Sequence, residues 1–109
     1  MKTTFYLVRH GQPDWDWAEA MRFYGPCSAY MPLTPLGVEQ IEHTACDSQL
    51  RGASFILASP YTRTMQSAQI LSRRLDLPVT VEWNCMNGCM TAICAATCPL
   101  PANALAGRI

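Results

Sequence analysis

The chain has 109 residues, half of them apolar, and its eight basic and eight acidic side chains give a formal net charge of zero. That length allows one domain, and the absence of a basic run argues against a nucleic-acid partner. No window approaches the roughly 18 apolar residues that a membrane helix requires.

In chain order, Thr3–Val8 reads as a first strand, a short apolar run of the kind buried in parallel sheets. Lys2 precedes only a short apolar stretch, so the N-terminus lacks a secretory pattern and the expected location is cytoplasmic. A long loop follows, containing Trp15, Trp17, Gly25, Pro26 and Pro32, with the two tryptophans read as loop packing. Thr34 is the expected N-cap of a helix that opens with Pro35 and runs to about Leu50, where Arg51-Gly52 ends it. Phe55–Ala58 is a second buried strand, closed by Ser59-Pro60. A second helix spans about Tyr61 to Leu75, with Met65, Ala68, Leu71 (or Ser72) and Leu75 facing the core. Val79–Glu82 reads as a third strand. The alternation implies right-handed crossovers and an α/β fold with a mainly parallel sheet, the first two strands being candidate neighbours.

Ligands of open α/β sheets bind beyond the carboxyl ends of the strands. The first strand delivers Arg9-His10-Gly11 to that edge, and the second delivers Ser59 and, one helical turn on, Arg63. A helix amino end favours anions, and an arginine there offers a planar fork for two phosphate oxygens. Arg9, Arg63 and Ser59 around a phosphoryl group, with a neutral His10 as nucleophile, would suit phosphoryl transfer. His43, in mid-helix beside Glu42, reads as a surface residue.

Three blocks, Leu7-Val8-Arg9-His10-Gly11-Gln12, Leu33-Thr34-Pro35-Leu36-Gly37-Val38-Glu39-Gln40 and Ser59-Pro60-Tyr61-Thr62-Arg63-Thr64, together resemble the histidine phosphatase superfamily in its phosphoglycerate-mutase-like branch. The resemblance covers residues 3 to 83. It implies a partial three-layer α/β/α fold in which His10 becomes phosphorylated and Arg9 and Arg63 hold the phosphate. Gln12 would stand in the phosphate pocket where the family often has Glu or Gln. No metal or other cofactor is implied. The expected partner is a small phosphomonoester or a phosphoprotein, with no nucleic acid and no membrane.

Two residues implied by the resemblance are missing. The family uses an acidic proton donor soon after the third strand and a second histidine late in the domain. Here no Asp or Glu follows Glu82, and His10 and His43 are the only histidines. From Asn84 onward the character changes: one charge, Arg108, and four of the six cysteines stand in this stretch. Codons for Trp83 to Cys94, read from the third base of the tryptophan codon, begin Glu, Leu, His or Tyr, Glu. That resembles the family's Leu-x-Glu segment bearing the acidic donor. The expected organisation is therefore residues 1–83 as the N-terminal part of the domain and 84–109 as an aberrant, frameshifted tail. Two alternatives remain: a non-catalytic fragment with an exposed sheet edge, and a metal module built on Cys85, Cys89, Cys94 and Cys98. The spacing of those cysteines is looser than zinc sites usually use.

Overall fold

Local signals set most of the elements in the computed structural model, which describes residues 4–82 and 92–97. In order these are β1 (Thr4–Arg9), α1 (Trp15–Ala20), a 3-10 turn (Gly25–Tyr30), α2 (Pro35–Thr44), a second 3-10 turn (Ser48–Gly52), β2 (Phe55–Ala58), α3 (Thr62–Leu75), β3 (Val79–Val81) and β4 (Ala92–Thr97). Thr34 caps α2, its hydroxyl accepting from the Gly37 amide at 2.9 Å, with Pro35 in the first turn. Instead of reaching Leu50, α2 stops at Thr44. The Asp47 carboxylate accepts from the Gln49 amide at 2.9 Å, a local side-chain bond that competes with helix continuation and starts the 3-10 turn. The short helix α1 lies in what the sequence reading leaves as loop. Asp14 begins it by accepting from the Trp17 amide.

Helix α3 buries Ala68, Ile70 and Leu71 and half-buries Met65 and Leu75. It ends at Asp76, whose φ of 55° lies in the left-handed region, with the Leu77 amide turned back onto the Ser72 carbonyl. Helices α2 and α3 pack together, and an ion pair from Arg74 to Glu42 joins their exposed sides. Ile41, Ala45, Ile56, Ala58, Ala68 and Leu71 form the centre of the core, with Tyr6 and Val8 of β1 against its edge. Each fully buried Ile or Leu contributes about 1.5–3 kcal/mol. On the alternate face of β1, Phe5 and Leu7 are exposed.

The sheet order is β1-β4-β2-β3. β2 and β3 are parallel, as a β-α-β crossover requires, and the partial α/β fold follows the expected chain order. β1 and β2, candidate neighbours in the sequence reading, are not adjacent in the sheet. β4 lies between them, antiparallel to both. Its sequence, Ala-Ile-Cys-Ala-Ala-Thr, is uncharged and can satisfy the backbone groups of two flanking strand edges. This strand comes from the segment expected to lie outside the domain. The expected boundary at Trp83 falls outside the described residues, as do Cys85, Cys89 and Cys98; of Cys94, the strand backbone alone is described.

The register has a direct consequence for the site. Ile93 of β4 pairs with Val8 on one side and with Ala58 on the other. β1 and β2 therefore run the same way and end level, two strand spacings or about 10 Å apart. Arg9 and Ser59 stand at matching heights, and the chain leaves both strands at the same edge of the sheet.

Candidate active site

Beyond β1 the chain passes through Gly11, which is buried against the start of α2. A Cβ on Gly11 would lie 2.3 Å from the Gly37 carbonyl oxygen, and one on Gly37 would lie 2.5 Å from the Gln12 carbonyl oxygen. The two backbones touch, so neither position has room for a side chain. Around this contact the Gln12 carbonyl accepts from the Thr34 amide at 3.0 Å, and the Gln12 amide donates to Gln40 Oε1 at 2.9 Å.

His10 is half-buried here, with Nδ1 2.7 Å from the Gly11 carbonyl oxygen. A carbonyl can only accept, so this contact assigns the proton of the neutral ring to Nδ1 and leaves the Nε2 lone pair free. Burial lowers the His10 pKa below its ordinary value of 6.5. The Gly11 carbonyl opposes that shift, while the charges of Arg63 and, less strongly, Arg9 add to it. The ring is accordingly neutral at pH 7.

Arg63 lies in the first turn of α3, whose amino end has no side-chain cap. First-turn N–H groups and the helix dipole therefore favour an anion there. The guanidinium stacks over the Tyr61 ring at 4.8 Å from its centroid, and Nη1 donates to the Ser28 carbonyl at 3.1 Å. Burial lowers the Arg63 pKa, yet a guanidinium is so strong a base that the group stays charged.

Ser67, one turn further along α3, joins the two halves. Its hydroxyl accepts from the Gly11 amide at 3.2 Å and donates to the Arg63 carbonyl at 2.8 Å, and the residue is fully buried. The neighbouring Gln66 accepts from the Leu33 amide at 2.7 Å. Successive α3 side chains thus bond to backbone atoms at Ser28, Leu33 and Gly11. The sequence reading missed Ser67 and Gln66. The available signal was a polar pair set between Met65 and Ala68 on a helix read for its apolar stripe alone.

The sequence-derived candidates differ in placement. Arg63 and Arg9 lie within electrostatic reach of His10. Arg9 is exposed on β1, on the face shared by alternation with Phe5 and Leu7. Ser59 is fully buried at the carboxyl end of β2, and its hydroxyl has no hydrogen-bond partner among the described residues. The Gln12 side chain is held at the amino end of α2, its Oε1 accepting from the Thr34 hydroxyl at 2.9 Å. Trp17 packs edge-on against Phe23 at 5.1 Å, the loop role expected for it, whereas Trp15 is exposed.

The chain is similar to known proteins. The family model of the histidine phosphatase superfamily (branch 1) matches residues 5–86. A protein named "Probable phosphoglycerate mutase GpmB" from Proteus mirabilis (strain HI4320) is 37% identical over 77 residues, covering 71% of this chain and 34% of its own length. The protein of the same name from Yersinia pestis (strain Pestoides F) is 32% identical over the same length. The chain thus spans about a third of the length of these relatives. Among solved structures, one titled "Mycobacterial hydrolase 1" superposes with a TM-score of 0.55 at 27% identity, over 74% of this chain and 38% of that one. On the matched span and the residues it contains, the chain belongs to the histidine phosphatase superfamily, branch 1.

Proposed function

We propose that the chain transfers a phosphoryl group from a small phosphomonoester to Nε2 of His10, in a cytoplasmic setting and without a metal or organic cofactor. The observation that carries this reading is the state of His10. It is neutral, with Nδ1 on the Gly11 carbonyl and its free nitrogen in the field of Arg63 and Arg9. Nε2 attacks phosphorus and the bond to the leaving oxygen breaks. Arg63, Arg9 and the uncapped α3 amino end stabilise the equatorial oxygens, and Ser59 supplies a further hydroxyl at the same edge. Water or a second acceptor then takes the phosphoryl group and regenerates the imidazole. Gln12, engaged by Thr34, would line the pocket from the α2 side. A phosphoprotein could serve as donor by the same chemistry.

The leaving oxygen needs a proton, and no acidic residue follows Glu82. General acid catalysis typically contributes about 10²- to 10⁴-fold, so transfer to His10 from an alkyl ester is slow, whereas an activated aryl leaving group departs as its anion and needs no such proton. This makes the chain a half-site close in behaviour to a non-catalytic fragment. We attribute the missing donor to a shift of reading frame near codon 83, which sequencing of the gene across codons 80 to 95 tests directly. The functional reading is tested by incubating the chain with an activated aryl phosphate, quenching at alkaline pH and measuring phosphoryl incorporation by mass. Incorporation of one phosphoryl group, acid-labile and lost in His10→Ala, is expected. Absence of any adduct, or one retained in His10→Ala, refutes it.

A further inference from the structure

We infer that the excursion from Asp14 to Pro32 forms the leaving-group side of the site and selects an uncharged, ring-bearing phosphomonoester over a carboxylated one. This rests on the phosphohistidine reading of His10 and adds the substrate class to it.

The excursion is anchored to the site at both its base and its middle. At the base, soon after His10-Gly11, the Asp14 amide donates to the Pro32 carbonyl at 2.8 Å and Pro13 bridges to Leu33. At the middle, the Ser28 carbonyl accepts from Arg63 Nη1 at 3.1 Å. A segment tied next to the nucleophile and again at the phosphate-binding cation borders the space where the rest of a substrate would lie. It also carries its own packing. Trp17 meets Phe23 edge-on at 5.1 Å, and Phe23 meets Tyr30 edge-on at 6.5 Å, a chain of ring contacts within the excursion.

Two kinds of surface chemistry then act together. The excursion exposes large apolar side chains, among them Trp15, Tyr24 and Tyr30, each more than 60% exposed. Tyr30 follows the Arg63-bound Ser28 by two residues, and Tyr61 lies under the same guanidinium at 4.8 Å. Aromatic surface next to a phosphate clamp favours a flat, apolar leaving group. The charge of the excursion is opposite to what a carboxylated substrate needs. Asp14, Asp16 and Glu19 outnumber Arg22 by three to one, a net charge of −2. A substrate carboxylate beside the phosphate would face that acidic segment while Arg63 is already committed to phosphoryl oxygens. Like charges within a Debye length repel, so such a substrate is disfavoured.

The test uses the full chain and reads the His10 ring signal by NMR during titration with inorganic phosphate, phenyl phosphate and 3-phosphoglycerate. Phenyl phosphate is expected to bind about tenfold more tightly than either of the other two. Tyr30→Ser should bring the ratio of phenyl phosphate to inorganic phosphate affinity close to one. Because Tyr30→Ser could disturb loop packing, the exposed pair Asp16→Asn and Glu19→Gln is the second variant. It should raise 3-phosphoglycerate affinity about threefold while the wild-type order of the other two persists. Equal or tighter binding of 3-phosphoglycerate by the wild type overturns the inference, as does a phenyl preference that survives Tyr30→Ser. If inorganic phosphate leaves the His10 signal unmoved, the phosphohistidine reading itself fails; a phosphate response without ligand discrimination refutes the substrate class alone.

Discussion

Replacing Gly37 with alanine should push α2 away from the segment that carries His10. The added Cβ would sit 2.5 Å from the Gln12 carbonyl oxygen and 2.8 Å from its amide nitrogen, about 1 Å inside ordinary contact. Both obstacles are backbone atoms held by hydrogen bonds to Thr34 and Gln40, so no flexible side chain can yield. Overpacking typically costs about 1–3 kcal/mol, and an unyielding contact belongs near the top of that range. Against this stands the helix preference of alanine over glycine, at most about 1 kcal/mol. The steric effect wins, leaving a net loss of about 2 kcal/mol. For a domain of this size, that lowers Tm by about 8–16 °C. Urea denaturation followed by tryptophan fluorescence measures it. Gly11→Ala addresses the same contact from the other side, so the double variant should lose less than the sum of the singles. A Gly37→Ala chain as stable as the parent, or more so, would show that the two backbones are not pressed together and would refute the packing argument.

Ser67→Ala should leave the buried Gly11 amide without its acceptor, at a cost of about 1–3 kcal/mol. Ser67→Thr, which keeps the hydroxyl, should recover most of that loss in the same denaturation assay. Acid sensitivity follows from His10, whose folded pKa is lowered below 6.5. The unfolded chain therefore binds the proton first. Stability from the neutral ring is complete above about pH 6.5 and is lost as pH falls from there toward the folded value. Denaturation from pH 7.5 to 5.0 should show this slope in the parent and a shallower one in His10→Gln; equal slopes would contradict it.

Much of the site was legible because its signals are local. Thr34-Pro35 marks a helix start through capping and a fixed φ, and the structure places the cap there. Apolar runs ending in Arg9-His10-Gly11 and Ser59-Pro60 mark strand ends, and the register brings both to one edge. What the sequence could not convey was pairing between distant segments. The stretch Ala92–Thr97 has no alternating pattern to announce a strand, and its place between β1 and β2 depends on their bare edges rather than on its own residues. The end of α2 was missed because a single carboxylate, Asp47, redirects the backbone where helical periodicity persists. Ser67 escaped notice for a related reason: its partners are main-chain atoms 56 positions away and one turn back, which leave no trace in side-chain pattern.

The contacts from α3 to Ser28, Leu33 and Gly11 all end on peptide groups rather than side chains. Every amino acid offers a carbonyl, so the anchor at Ser28, the one of the three inside the loop, places few demands on the identity of the residue it holds. The loop between Asp14 and Pro32 can therefore drift in sequence, or be grafted from another protein, while remaining docked beside the histidine. Under the proposed function, chemistry and substrate choice would sit on separate parts of the chain, an arrangement that would let new specificities evolve without rebuilding the reaction centre.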